Sequence, residues 1–328
     1  MNPFFLITID TEGDNLWARP RSITTKNSSY VLRFQNLCDK YKLKPTYLVD
    51  YEMAVCPIFT EIGKDVMKDN RAEIGMHLHA WNSPPIIPLT SDDYNYQPYL
   101  IEYPEAVIVE KVKYMTDLLE DTFGIKMLSH RAGRWSFNTF YANVLKDLSY
   151  KVDCSVTPYV SFKKEQGDPN KNGGTDFTRF PSSAYFMDSK NIKELGTDGL
   201  LEIPVTNFKE STLFKIRYIK KKLHPGLMFK RSNLTATKYW LRPTGRNADD
   251  MARILQYVLD NRLMYAELML HSSEFMPGGS PHFKDDASID KLYDDLEYIF
   301  DLTRGKFTGA TLSEFYDWFA IQNNKGKA

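Results

Sequence analysis

Short apolar runs that end in titratable residues, separated by helical repeats, constrain this chain more than any other feature of it. Phe4-Phe5-Leu6-Ile7-Thr8-Ile9 reads as a buried strand and runs straight into Asp10-Thr11-Glu12-Gly13-Asp14. A helix is expected over residues 30–41, where Val31, Phe34, Leu37 and Cys38 recur at helical spacing and Ser28 or Ser29 can cap. A short strand over 46–49, an amphipathic helix from Pro57 to about Lys68 and a strand entering Glu73-Ile74-Gly75-Met76-His77-Leu78-His79-Ala80-Trp81 follow. Strand, helix, strand, helix, strand is the signature of parallel α/β architecture.

The alternation continues. Residues 82–104, with Pro84, Pro85, Pro88, Pro98 and Pro104 among several Tyr, form a loop long enough to wall a pocket. Helices are expected over 104–123, from Asn138 to 148, from Asn247 to 261, over 287–302 and from 313 to about 321. Strands are expected over 126–130, 150–156, 200–204 and 264–270. The strand over 126–130 delivers Arg131 and Arg134-Trp135, that over 150–156 carries Asp153, and that over 264–270 delivers His271. An irregular insertion spans about 157–199, and a basic insertion about 209–246, whose interior Lys and Arg are opposed by Glu210 alone.

The strand ends offer specific chemistry. In an extended chain residues i and i+2 point to one side, so His77 shares a face with His79, and Asp10 with Glu12. Two imidazoles and two carboxylates brought to one end of a sheet are the donor set of a catalytic divalent ion.

Composition narrows the partners. Basic and acidic residues balance at 42 each, so nucleic acid is not expected as a partner. Cys38, Cys56 and Cys154 form neither a CxxC pair nor an even disulfide set, which suits a reducing compartment. The N-terminal apolar run is too short for a signal peptide or membrane span, so a cytoplasmic protein is expected.

Taken in order, Thr8-Ile9-Asp10, Glu73-Ile74-Gly75-Met76-His77, Arg131, Asp153 and Leu270-His271 resemble the motifs of the polysaccharide deacetylases, the NodB-like carbohydrate esterases. The resemblance runs from Ile7 to about Trp318. It implies a single domain over 1–328 with the fold of a distorted (β/α)7 TIM-like barrel carrying long loop insertions. It also implies one divalent metal ion, Zn²⁺ first, with Co²⁺, Ni²⁺ or Fe²⁺ as alternatives. The implied activity is removal of an N-acetyl or similar acyl group from a sugar. Glu12, His77 and His79 would bind the metal, and Asp10 would be the base for a water activated there. Arg131 would orient Asp10, and His271 would protonate the leaving amine. Asp153 would fix His271 or Arg131, while Trp81, Arg134 and Trp135 would contact substrate.

Two positions depart from the family pattern. Its adjacent Asp-Asp becomes Asp10-Thr11-Glu12, with Asp14 as an alternative ligand. Its second histidine lies where Trp81 stands, so His79 must substitute. A catalytically inactive carbohydrate-binding or scaffold protein therefore stands as the alternative, and a two-His, one-carboxylate Fe(II) site as a third reading. The expected substrate is a precursor in surface-polysaccharide (O-antigen or capsule) assembly, linked to a nucleotide or lipid phosphate. The basic insertion would contact that phosphate or a membrane surface at the cell's inner face.

Overall fold

The computed structural model describes residues 2–197, 199–209 and 238–325. Its strands and helices alternate as the apolar runs require: β1 (Phe4–Thr11), α1 (Val31–Tyr41), β2 (Pro45–Val49), α2 (Tyr51–Ala54), α3 (Pro57–Met67), β3 (Glu73–Leu78), α4 (Asp93–Tyr96), α5 (Glu105–Phe123), β4 (Ser129–Ala132), α6 (Thr139–Asp147) and β5 (Val152–Asp153). Beyond these lie β6 (Tyr185–Phe186), β7 (Leu201–Glu202), β8 (Asn207–Lys209), β9 (Lys238–Trp240), α7 (Ala248–Asp260), β10 (Tyr265–His271), α8 (Asp286–Thr303), β11 (Thr308–Ala310) and α9 (Leu312–Lys325).

The main sheet runs β10-β1-β2-β3-β4-β5-β7-β6 and is parallel except at β6. β1 pairs with β10 along nearly its whole length, with β11 at Phe4–Leu6 and with β2 at Ile7–Thr11. The sheet curls into an open barrel of the (β/α)7 kind. The gap between β7 and β10 is bridged without a ladder: Glu267 donates its N–H to Thr206 Oγ1 at 2.9 Å, Leu241 donates to the Thr206 carbonyl at 3.0 Å, and Met269 donates to the Leu241 carbonyl at 3.2 Å.

Alternation along β1 sorts the two layers. Phe5, Ile7 and Ile9 join the large cluster beneath the helices, whereas Leu6 joins a second cluster with Leu48, Val152, Leu201, Tyr265 and Phe315 of α9. Each fully buried aliphatic or aromatic side chain in these layers is worth roughly 1.5–3 kcal/mol. Their neighbours Thr8 and Asp10 are buried but polar. In a parallel barrel the C-terminal strand ends form one face, and the site assembles there.

Several boundaries differ from expectation. Ser28 does not cap α1: it lies inside a 3-10 turn, and its hydroxyl donates to the Thr25 carbonyl at 2.7 Å. The strand expected over 150–156 pairs only at Val152–Asp153. The insertion over 157–199 is not wholly irregular, since β6 within it pairs antiparallel with β7. Most of the basic insertion, residues 210–237, lies outside the described residues.

Candidate active site

β1 and β3, separated by β2, deliver the candidate metal ligands. Glu12 Oε2 lies 2.9 Å from His79 Nε2 and 3.5 Å from His77 Nε2, and all three residues are buried. Their ligand atoms fall within 4.8 Å of one another. A tetrahedral ion with bonds of ~2.0–2.1 Å sets its ligands about 3.3 Å apart, so the two measured spacings bracket that edge. His77 donates Nδ1–H to the Arg131 carbonyl at 2.9 Å, which leaves its Nε2 lone pair facing the site. Gly133 makes room for His79: a Cβ there would come within 2.6 Å of the imidazole Nδ1. The donor set therefore fits a divalent ion. Asp14 is not part of it, because its carboxylate is taken by the Thr24 hydroxyl at 2.8 Å and the Lys26 N–H at 2.6 Å.

Charge within the cluster is balanced locally. Burial works against the Glu12 carboxylate, but His271, His77 and His79 outweigh it and hold the group well below its ordinary range. Burial depresses both imidazoles of the triad. At His77 the Asp10 and Glu12 carboxylates overcome it and raise the pKa, while at His79 they do not.

Asp10 lies beside this triad, with Oδ2 3.9 Å from His77 Nε2, and Arg131 donates to its Oδ1 at 2.6 Å. Burial disfavours its charge, yet Arg131, followed by His77 and His271, holds it below the usual carboxylate pKa. Arg131 is itself wholly buried. It also donates to Thr8 Oγ1 at 2.8 Å, to Glu267 at 2.7 Å and, through Nε, to the Cys154 carbonyl at 3.0 Å. Glu267 was not singled out in the sequence. A lone carboxylate inside an apolar strand was the available signal, since a buried charge demands a partner.

Asp153, expected to orient His271 or Arg131, does neither. Its Oδ1 accepts from His130 Nδ1 at 2.6 Å and from the Ser155 hydroxyl at 2.8 Å, while His130 Nε2 meets the Tyr141 hydroxyl at 2.7 Å. The reason is register: Asp153 on β5 is directly opposite His130 on β4. The neighbouring carbonyl of Cys154 supports Arg131 instead.

His271 sits across from Asp10 in the β1–β10 register, its Nε2 3.7 Å from Asp10 Oδ2 and 3.8 Å from Glu12 Oε1. Arg242 donates to His271 Nδ1 at 3.0 Å and to Glu274 at 3.1 Å. A guanidinium has no acceptor, so in the neutral form of His271 the proton sits on Nε2, toward Asp10 and Glu12. Arg242 belongs to the segment read as a basic insertion, yet it is inserted into this site.

A cavity of about 410 Å³ opens over these groups. Four of the chain's five tryptophans line it: Trp81, Trp135, Trp17 and Trp240. Trp81 packs on His79 with ring centroids 4.6 Å apart, Trp135 lies over the Arg131 guanidinium at 5.0 Å, and Trp17 meets the His271 ring at 5.2 Å. Arg134 lines the same cavity, stacked on Tyr99 at 4.2 Å. Trp17 and Trp240 went unremarked in the sequence because they come from segments without periodicity. The insertion over 157–199 adds Phe162 and Glu165 to the wall.

No family profile matches the sequence, and no curated protein matches it. Solved structures do share the fold. A protein of Parabacteroides distasonis assigned as a glycoside hydrolase or deacetylase superposes with a TM-score of 0.61 at 11% identity, over 98% of this chain and 72% of that one. A protein of Mycobacterium smegmatis assigned as a polysaccharide deacetylase gives a TM-score of 0.55 at 13% identity, over 98% and 92%. The 4-alpha-glucanotransferase of Thermococcus litoralis gives 0.51 at 12% identity, over 97% of this chain and 38% of that one. The chain is thus built on the open (β/α)7 barrel that these solved structures share.

Proposed function

We propose that the protein is a metal-dependent hydrolase that removes an N-acetyl or similar acyl group from a sugar. The observation that carries this reading is the division of labour between two adjacent carboxylates. Glu12 faces two imidazole nitrogens, whereas Asp10 is turned to Arg131. When bound by Glu12, His77 and His79, a divalent ion supplies Lewis acidity, polarising the acyl carbonyl and easing deprotonation of water. Asp10, kept ionised by Arg131, accepts the proton of the attacking water. His271 faces the same space through Nε2; as imidazolium, with Nδ1–H turned to Glu274, it gives its Nε2 proton to the departing nitrogen and returns to neutral imidazole. Trp81, Trp135 and Trp240 exclude water and offer flat faces to a sugar ring.

The finer assignment follows from the same reading: a sugar precursor of surface-polysaccharide assembly, carried on a nucleotide or lipid phosphate, with Zn²⁺ as the ion. The cytoplasm is the matching compartment. No described helix is long and apolar enough to cross a membrane. Contact of Lys220, Lys221 and Lys222 with an anionic headgroup belongs to this proposal, and those residues lie outside the described part of the chain.

The test is acetate release from N-acetylated mono- and oligosaccharides by the purified full chain, before and after chelation and after return of Zn²⁺, Co²⁺, Ni²⁺ or Fe²⁺. Release that disappears on chelation and returns with one of these ions supports the proposal. A protein that retains metal and binds sugar without releasing acetate would be the non-catalytic alternative.

A further inference from the structure

We propose that Arg19 and Arg134 form an anion-binding subsite at the rim of the catalytic pocket, so that the substrate is an N-acylated sugar bearing a phosphoryl or carboxylate group. The inference rests on the deacetylase reading for the acyl group and on independent observations for the anion. Both arginines line the cavity and reach it from unrelated segments, the loop after β1 and the turn after β4.

Both are held on the edge of α4 by neutral acceptors. Arg19 Nη1 donates to the Asn95 carbonyl at 2.8 Å. Arg134 donates to the carbonyls of Gln97, Tyr96 and Gln166. Among the described residues neither forms an ion pair with a carboxylate, although Glu165 and Glu102 support Arg134 from farther away. Two guanidiniums carry about ten N–H donors, and only these few carbonyl contacts engage them.

The arrangement is also costly, in a way that an anion would offset. Burial first, and then the like charge of Arg19, push Arg134 below its ordinary pKa. A clasp on backbone carbonyls needs only neutral donors, so paired and mutually repelling cations are explained by a ligand of opposite charge. Backbone strain gathers at the same rim: Arg19, Arg134 and Trp135 adopt left-handed φ values of 50°, 54° and 61°. Non-glycine residues hold such angles where the surroundings over-determine them, commonly at ligand sites. With tryptophan faces lining the cavity, the rim guanidiniums are placed for an oxyanion on the acylated sugar or on its neighbour.

Calorimetric titration of the full chain with three probes tests this: N-acetylglucosamine 1-phosphate, a disaccharide of N-acetylglucosamine and glucuronic acid, and neutral N,N′-diacetylchitobiose. One anionic probe is expected to bind about tenfold tighter than the neutral one at low salt, and which of the two does so identifies phosphoryl or carboxylate as the source. The advantage should shrink as salt rises. Arg19→Gln, at an exposed position, and Arg134→Gln should each remove most of it. Equal binding of charged and neutral probes, or no binding of any, would overturn the proposal. So would a preference that survives both substitutions, since the anion would then be held elsewhere in the pocket, at Arg242 or at the metal site. Because the readout is affinity and does not require turnover, failure of acetate release would strike the deacetylase reading and leave this one standing.

Discussion

Arg131 meets Asp10 at 2.6 Å, with the arginine side chain fully buried and the carboxylate nearly so. An ion pair so enclosed keeps the carboxylate charged and fixes its orientation while leaving Oδ2 to face the pocket. Asp10→Asn preserves the shape but removes the basicity. Activity should therefore fall by about 10²–10⁴ with metal content unchanged. Loss of metal together with activity would make Asp10 a ligand and reassign the base.

Metal content tests the triad directly. His77→Ala and His79→Ala should each lower occupancy by about tenfold or more, measured by atomic emission after dialysis, because three protein ligands become two. Circular dichroism should be unchanged, since the hydrophobic layers under the helices do not include either ring. Full occupancy in both variants would rule out this ligand set.

Glu267 shares Arg131 with Asp10 and is fully buried. Without Glu267 the arginine keeps Asp10 but loses one of its two carboxylates and is left with a buried N–H unpaired, so Glu267→Ala should destabilise the fold by about 1–3 kcal/mol in urea unfolding. A change below about 1 kcal/mol would mean that Asp10 alone balances the guanidinium.

Glu274 gives a pH signature. Burial opposes its charge, but Arg242 and His271 bring its pKa down from 4.5 to about 2. A carboxyl depressed on folding contributes stability that is fully present above its unfolded pKa and is lost as pH falls through the folded value. The contribution is on the order of 3 kcal/mol. The stability gap between the parent and Glu274→Gln should therefore be widest above about pH 5 and should close toward pH 2. A gap that stays constant over that range would show that Arg242 does not stabilise the charged form.

The parts of the site that were legible in the sequence are those on regular strands. Asp10, Glu12, His77, His79 and His271 each follow an apolar run, and alternation alone sets the face they share. The pairing of His130 with Asp153 was missed because periodicity describes one strand at a time, whereas that contact depends on which strands are neighbours and in what register. Arg19, Trp17, Trp240 and Arg242 come from aperiodic stretches, where tertiary contacts alone decide what a side chain meets. Ser28 failed as a cap for a similar reason: a 3-10 turn occupies the residues just before the helix.

The flanking of β1 by β10 and β2 has a consequence for the order in which function is acquired during synthesis. All three candidate ligands lie within the first 79 residues, on strands that need only β2 between them. Asp10 gains Arg131 and then His271 only when strands 121 and 261 positions farther along arrive beside it. Pairing over such separations is a late event in folding. A nascent or truncated chain that lacks β10 therefore includes all three candidate ligands, but has no Glu267 to brace the arginine and no histidine opposite Asp10.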